Sequence, residues 1–333
     1  MADTTSRTGF KAALRSRDIG LVGMIVALAV LVQVLNPSFL SGENIADMTK
    51  NTAILAILSI GMMLVIVTRG IDLSIGATLA LSGMISAQTV AVWQDAPPLV
   101  AIGLGILIGL ACGAVVGGLV SKGKVLPIIA SLGLMNVFRG VTFLVSGGKW
   151  VSANQMPDSF KAIATSDFLG INTLVWTAAI IYLIAYWFVT WNRTGRQIYA
   201  VGSNPESAKI SGINNDKILT LVYVIMGGLS GLAGVLWVSK FASAQGDTAM
   251  GFELSVVAAC VLGGVNMAGG SGRIAGIFLG SLLLGILNNA LPLIDVSPFW
   301  QNFIQGAIIL VAVLINALVK RRFNVRILQK RKI

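Results

Sequence analysis

Histidine is absent from the chain, which removes imidazole as a metal ligand, a proton shuttle or the base beside a serine or cysteine nucleophile. Cysteine is almost as scarce. Cys112 and Cys260 lie in separate apolar runs, so neither a CxxC pair nor a disulfide framework is indicated, and both read as small packing residues. Charged residues make up 11% of the 333 residues, where a soluble domain carries roughly 25%. Set against 56% hydrophobic residues, that is too little polar surface for a water-soluble fold. The class that remains is an all-α polytopic membrane protein.

Apolar runs cover residues 19–35, 52–68, 73–92, 99–120, 126–145, 171–190, 218–238, 254–267, 274–293 and 299–319. At about 20 residues per crossing, they predict about ten transmembrane helices within 19–319, between an N-terminal arm at 1–18 and a tail at 320–333. The first run is long for the apolar core of a signal peptide and no small-residue cleavage site follows it, so it is expected to stay as the first helix. The run at 254–267 is short enough to be partly re-entrant.

The net charge is +11, from 24 basic and 13 acidic residues. With the N-terminus inside, ten crossings place 19 basic residues on the inner side and four on the outer side, Lys50, Lys149, Lys161 and Lys240; Arg139 falls within a run. By the positive-inside rule both termini are expected in the cytoplasm. Seven of the inner cations, from Lys320 to Lys332, crowd into the last 14 residues. Such a tail suits the anionic lipid of the inner leaflet and does not indicate nucleic acid.

One inner connection stands apart. Residues 191–217 are polar and carry Arg193, Arg196, Lys209 and Lys217, and a loop of that length with its own structure is usually functional. Asn204-Pro205-Glu206 reads as a helix start and Gly212 as its stop, so a short helix suited to docking a partner is expected on the cytoplasmic surface. Glycine recurs at every fourth position in Gly105, Gly109, Gly113 and Gly117, and again in Gly272, Gly276 and Gly280. These faces are expected to bring helix backbones close together.

Two glycine motifs imitate nucleotide sites. The run from Gly118 to Lys124 matches a P-loop until Val125, where Mg²⁺ binding needs Ser or Thr, and no strand precedes it. Gly270-Ser271-Gly272 lies between apolar helices without the β-strand of a dinucleotide fingerprint, and reads as a tight turn. No ATP site, catalytic group or metal site is therefore expected in this chain.

Asp72 and Glu253 each open an apolar run in an acid-Leu-Ser sequence, where a carboxylate meets the positive end of a helix dipole. They are read as structural helix-start acids; a cation-coupling role is the sharper alternative. Because the two lie five crossings apart and face opposite ways, the echo suggests an inverted repeat of two five-helix halves. Asn136, Arg139, Asn266, Asn288, Asn289 and Gln305, with Gln301 and Asn302, are candidate lining of a weakly polar translocation path, against the simpler role of pairing helices. A path without acids suits a neutral, hydroxyl-rich solute.

Glu206-Ser207-Ala208 followed at three residues' distance by Gly212 resembles the E-A-A-x-x-x-G signature of bacterial ABC importer permeases, with Ser207 in place of the second alanine. Thr194 to Asn204, Gly70-Ile71-Asp72-Leu73-Ser74, Phe138-Arg139-Gly140, and Glu253 through Gly264 to Gly272 resemble the ribose-type branch, which serves ribose, xylose, arabinose, galactose, rhamnose and autoinducer-2. The similarity runs over roughly residues 20–320. It implies a fold similar to the vitamin B12-type importer permeases, in a bacterial inner membrane. Asn204, Glu206, Ser207, Ala208 and Gly212 would then form the coupling helix. It further implies a cytoplasmic ABC ATPase that carries the ATP and Mg²⁺, a second identical or homologous permease, a periplasmic or lipid-anchored sugar-binding protein, and a sugar as substrate. An ion-coupled secondary transporter is the alternative class, but it would normally place an ionisable group near the midplane, where only Arg139 is a candidate. An intramembrane enzyme is disfavoured by the missing nucleophile-base pair.

Overall fold

The computed structural model describes residues 4–297 together with 299–300, 302–304, 306–311 and 314, with side chains from Asp18 onward. The helices are α1 (Thr4–Leu35), α2 (Gly42–Val67), α3 (Ile75–Val92), α4 (Pro98–Ser121), α5 (Pro127–Ser146), α6 (Asp158–Thr165), α7 (Thr173–Trp191), α8 (Arg193–Ser203), α9 (Pro205–Ile210), α10 (Asn215–Phe241), α11 (Phe252–Leu262) and α12 (Ile274–Leu293). A two-stranded hairpin, β1 (Asp167–Phe168) and β2 (Ile171–Asn172), joins α6 to α7. Eight described helices are long and apolar enough to cross a membrane, and the protein is a polytopic helical membrane protein.

The centre of the bundle is α2. Ser41 caps its start by accepting from the Asn44 N–H, and every residue from Thr52 to Val67 is buried. A helix that is hydrophobic all round has to be enclosed. On the periphery, α7 leaves Ile180, Leu183, Ile184 and Trp187 exposed, the surface expected of a helix that meets lipid.

Helices α4 and α10 run antiparallel with their backbones in contact. Gly105 meets Gly231, Gly109 meets Gly227, Gly113 meets the Tyr223 carbonyl and Gly117 meets Thr220. A Cβ would collide with the facing backbone at Gly109 and Gly113, with the Val235 side chain at Gly105, and would be tight against Thr220 at Gly117, which is how the four-residue glycine spacing serves packing. The later repeat acts similarly, with Gly276 against Gly263 and Gly280 against the Ala259 carbonyl.

Two pairs of successive helices are joined by non-helical links of seven and ten residues. After α2 the chain runs without helix from Thr68 to Ser74 before α3 begins, and after α10 it does so from Ala242 to Gly251 before α11. The expected run at 254–267 yields a helix of only 11 residues. It stops at Leu262 because Gly263 and Gly264 follow, Gly264 with φ +85, and their amides close onto Ala259 and Val261. Of the expected crossing at 299–319, residues 299–300, 302–304, 306–311 and 314 are described and helical, with Asn302 exposed, whereas Gln301, Gln305 and the basic tail lie outside the described residues.

Gly109→Ala should lower stability by about 1–3 kcal/mol, the cost of overpacking. Gly103→Ala on the same helix meets nothing within 4 Å and should change it by less than about 0.5 kcal/mol. Thermal unfolding of the two variants in detergent makes the comparison.

Candidate functional site

The polar loop at 191–217 folds into two helices, not one. Asn192 caps α8 by accepting from the Thr194 N–H at 2.8 Å, and Asn204 caps α9 by accepting from the Ser207 N–H at 3.1 Å. Gly212, at φ +79, ends the turn, its amide on the Lys209 carbonyl at 3.0 Å while Ile213 bonds back to Ala208. Ala208 is buried beneath α9; Glu206, Ser207, Lys209 and Ile210 are exposed. The result is a short helix fixed from below that presents an acid, a base and an apolar side chain outward.

Helix α8 is the seat. Its buried face is Gly195, Ile198, Val201 and Gly202, a helical stripe that the surrounding polar residues obscure in the sequence. At Gly202 a Cβ would overlap the Val67 carbonyl at the end of α2 and lie 3.0 Å from the Gly270 nitrogen. Arg69, at φ +68, donates through Nε to the Gly202 carbonyl at 2.7 Å and through Nη2 to the Ser203 carbonyl at 2.6 Å. The Gly270 amide donates to the Val67 carbonyl at 2.9 Å. Tyr199 donates its hydroxyl to the Gly272 carbonyl at 2.9 Å; burial pushes this phenol up to about 12, so it stays protonated and keeps donating. Gly270 and Gly272 thus form the tight turn expected of them, and the Gly118–Lys124 run is a helix C-terminus in which Lys124 pairs with Asp216 at 2.6 Å.

These contacts join α8 to the link after α2 and to the turn after α11. The Thr68–Ser74 link runs from Arg69 to α3. On it, the buried Asp72 accepts from the Ser74 amide at 2.9 Å and hydroxyl at 2.6 Å, and Ser131 of α5 donates to the Ile71 carbonyl at 3.2 Å. Beside the seat, residues 263–272 lead back to α11.

The starts of α3 and α11 meet each other. A Cβ on Gly76 would lie 2.7 Å from both the Ala249 carbonyl and Glu253 Oε2, so the Glu253 carboxylate sits against the first turn of α3, where the helix dipole favours negative charge. Arg139 of α5 holds the approach segment by donating through Nη1 to the Gly246 carbonyl at 2.9 Å and the Thr248 carbonyl at 2.8 Å. The structure therefore brings Glu253 and Arg139 to one junction, while Asp72 stays within the link before α3, bonded to Ser74.

The amides named as path candidates are not gathered into one place. Asn136 is exposed on α5 and donates to the Leu132 carbonyl at 3.0 Å. Asn266 lies beyond α11, its side chain closing the 266–269 turn on Ala268 and Gly269. Asn289 makes a reciprocal amide pair with Asn44 at 3.0 Å, tying α12 to α2. Asn288 lines a small cavity beside it, and Gln305 lies outside the described residues. Tyr199 and Gly202 lie in the Thr194–Asn204 segment that carries the resemblance, and Arg69 counts among the inner cations, but the sequence gives none of the three a role at this contact.

A polytopic bundle with a structured polar pair of short helices at one end is consistent with the membrane subunit of a transporter. Residues 44–313 match the family described as the permease component of branched-chain amino acid transport systems, and the chain belongs to that family. Among its relatives, the ribose import permease protein RbsC of Escherichia coli (strain K12) is 40% identical over 314 residues, 94% of this chain and 97% of that protein. RbsC of Bacillus subtilis (strain 168) is 40% identical over 289 residues, 87% and 89% of the two chains. The autoinducer 2 import system permease protein LsrC of Klebsiella pneumoniae is 32% identical over 300 residues, 90% and 86%.

If Gly202 sets the seat, Gly202→Ala should loosen it. Amide exchange at residues 266–272 should rise by about tenfold, the effect of losing about 1.4 kcal/mol of local stability, while the distant 167–172 hairpin stays unchanged. Mass-spectrometric hydrogen exchange reads both segments in one experiment.

Proposed function

We propose that this permease is the translocation subunit of an ATP-driven importer for a monosaccharide or a similarly small polyhydroxylated solute, in a bacterial cytoplasmic membrane. The observation that carries this is the α8–α9 pair: a capped surface helix with Glu206 outward and Ala208 inward, seated by backbone contact on the end of α2 and on the segment that follows α11. The solute class follows from the ribose and autoinducer-2 permeases to which the chain is similar.

In this proposal two copies of a cytoplasmic ATPase hold the ATP and Mg²⁺, and one docks on α9 of each permease. A second permease, identical or homologous, completes the path, and a periplasmic or lipid-anchored binding protein delivers the solute. The exposed face of α5 with Asn136 is assigned to the path. Asn266, Asn288, Asn289 and Gln305 are kept as further candidates. Both termini are cytoplasmic, an orientation supported by the basic residues that gather on one side of the connections. Ten crossings result when α11 with its approach segment and the helical residues around 302–311 each complete one.

An inverted relation between two five-helix halves is supported by the exchange of partners: α2 packs on α11 and α12, as α10 packs on α3 and α4. Movement of α9 on closure of the ATPases passes through α8 to Arg69 and Gly270, and from there to the start of α3 and the end of α11. The junction at Gly76 and Glu253 then opens or closes, giving alternating access; a solute shifts that balance only by its differential affinity for the two states.

Glu206→Arg should leave the permease folded, because the side chain is exposed, yet cut ATP-driven uptake by more than about tenfold by replacing a docking acid with a like-charged repulsion. Copurification with the ATPase and uptake into proteoliposomes test this. Undiminished uptake with normal ATPase binding would remove α9 from the coupling role.

A further inference from the structure

We infer that the groove where α7, α8 and α12 meet is a binding site for one anionic phospholipid of the inner leaflet, its phosphate held by Arg196. The cavity has a volume of about 450 Å³, within the roughly 300–1,000 Å³ of small-molecule sites. Tyr186, Thr190, Arg196 and Arg273 supply its polar side chains, and Val189 and Ala275 part of its apolar wall. The inference rests on the orientation proposed above, with α8 and α9 in the cytoplasm, and not on the nature of the solute.

Local sequence sets the depth of the groove. Tyr186 and Thr190 stand four residues apart near the end of α7, so they share one face of that helix. Arg196 follows in the first turn of α8, just past the Asn192 cap. On the membrane side of them, Leu183, Ile184 and Trp187 of α7 are exposed, as suits a surface against acyl chains. Two hydroxyls and a guanidinium therefore stand where the apolar layer gives way to the cytoplasm, the level of the lipid phosphates.

The charge available to a ligand is that of Arg196. One N–H on Nη1 donates to the Trp191 carbonyl at 2.8 Å, which ties the guanidinium to the end of α7 and leaves the donors on Nε and Nη2. A carbonyl does not cancel the charge, and no acid pairs with Arg196 among the described residues. Arg273, by contrast, is engaged with Asp18 of α1 and forms wall rather than counter-ion. The Tyr199 hydroxyl is likewise taken, by the Gly272 carbonyl. Those of Tyr186 and Thr190 have no hydrogen-bond partner among the described residues.

One uncompensated guanidinium with two hydroxyls suits a singly charged phosphodiester. Apolar surface continues from the groove into the membrane: Ala275 and, one turn along α12, Phe278 are exposed, and Phe278 is held edge-on by Tyr182 of α7 at 5.6 Å between centroids. An acyl chain laid along α7 and α12 would run from the phosphate over these residues, which a soluble anion would not use. The lipid then anchors the outer edge of α8, while Gly202 on the buried face holds the Val67 carbonyl.

The test is native mass spectrometry of the permease with its ATPase, released from detergent after incubation with phosphatidylglycerol or phosphatidylcholine. Phosphatidylglycerol should bind about fivefold more tightly, the effect of one basic side chain on an anionic lipid. Arg196→Gln should remove that preference, and Tyr186→Phe, which keeps the ring, should weaken phosphatidylglycerol by about twofold. Arg193→Gln, exposed on the same helix but outside the groove, should change nothing. An unchanged preference in Arg196→Gln, or an equal loss in Arg193→Gln, overturns the site; displacement of the lipid by inorganic phosphate overturns the lipid as its occupant. Sidedness is read separately by labelling Ile210→Cys with an impermeant maleimide in right-side-out vesicles, since Ile210 is exposed and the native cysteines are buried. No labelling from outside, with the preference unchanged in Arg196→Gln, overturns the site and leaves the orientation standing. Labelling from outside overturns the orientation and, with it, the inner leaflet as the source of the lipid.

Discussion

The arrangement of this permease depends on one backbone-to-backbone contact, Gly202 of α8 against the Val67 carbonyl at the end of α2, with the Gly270 amide donating to that same carbonyl. Three segments remote in sequence are fixed at one point with no side chain between them. Arg69 reinforces it with two bonds to the Gly202 and Ser203 carbonyls, and charge-assisted bonds are the stronger kind. Since packed interiors deform little, a displacement of α8 is passed on rather than absorbed.

The load reaches the starts of α3 and α11, each entered through a non-helical link. Non-helical backbone is tolerated inside a membrane only where protein or a water-filled cavity satisfies the freed polar groups. Here Asp72 serves the start of α3, and Arg139 serves the carbonyls before α11. Glu253 then lies against the α3 start, so each half of the chain contributes to the helix start of the other. A junction built from dipole, carboxylate and guanidinium is costly to leave unpaired, which favours two discrete arrangements over a continuum.

Much of this was legible in the sequence, and what was not has a physical reason. The apolar runs announce the bundle, and the α9 start at Asn204-Pro205-Glu206 and stop at Gly212 are local signals that need no tertiary context. The four-residue glycine spacing announces close helix packing, and the acid-Leu-Ser echo lies at the starts of α3 and α11. By contrast, α8 is hidden because its buried stripe uses two glycines, Gly195 and Gly202, which carry no hydrophobic signal. Asn266 reads as a residue within an apolar run until Gly264 is seen to end the helix.

The central claim is that α8 drives the junction between α3 and α11. It is tested most directly by the distance between spin labels at Met250, beside the junction, and Leu183, on the peripheral α7. Both positions are exposed, whereas the native Cys112 and Cys260 are buried. In the complete complex, ATP should shift this distance in the wild-type background, and Gly202→Ala should abolish the shift while ATP still binds. An ATP-driven shift of the same size in Gly202→Ala, or none in wild type during active uptake, would contradict the account.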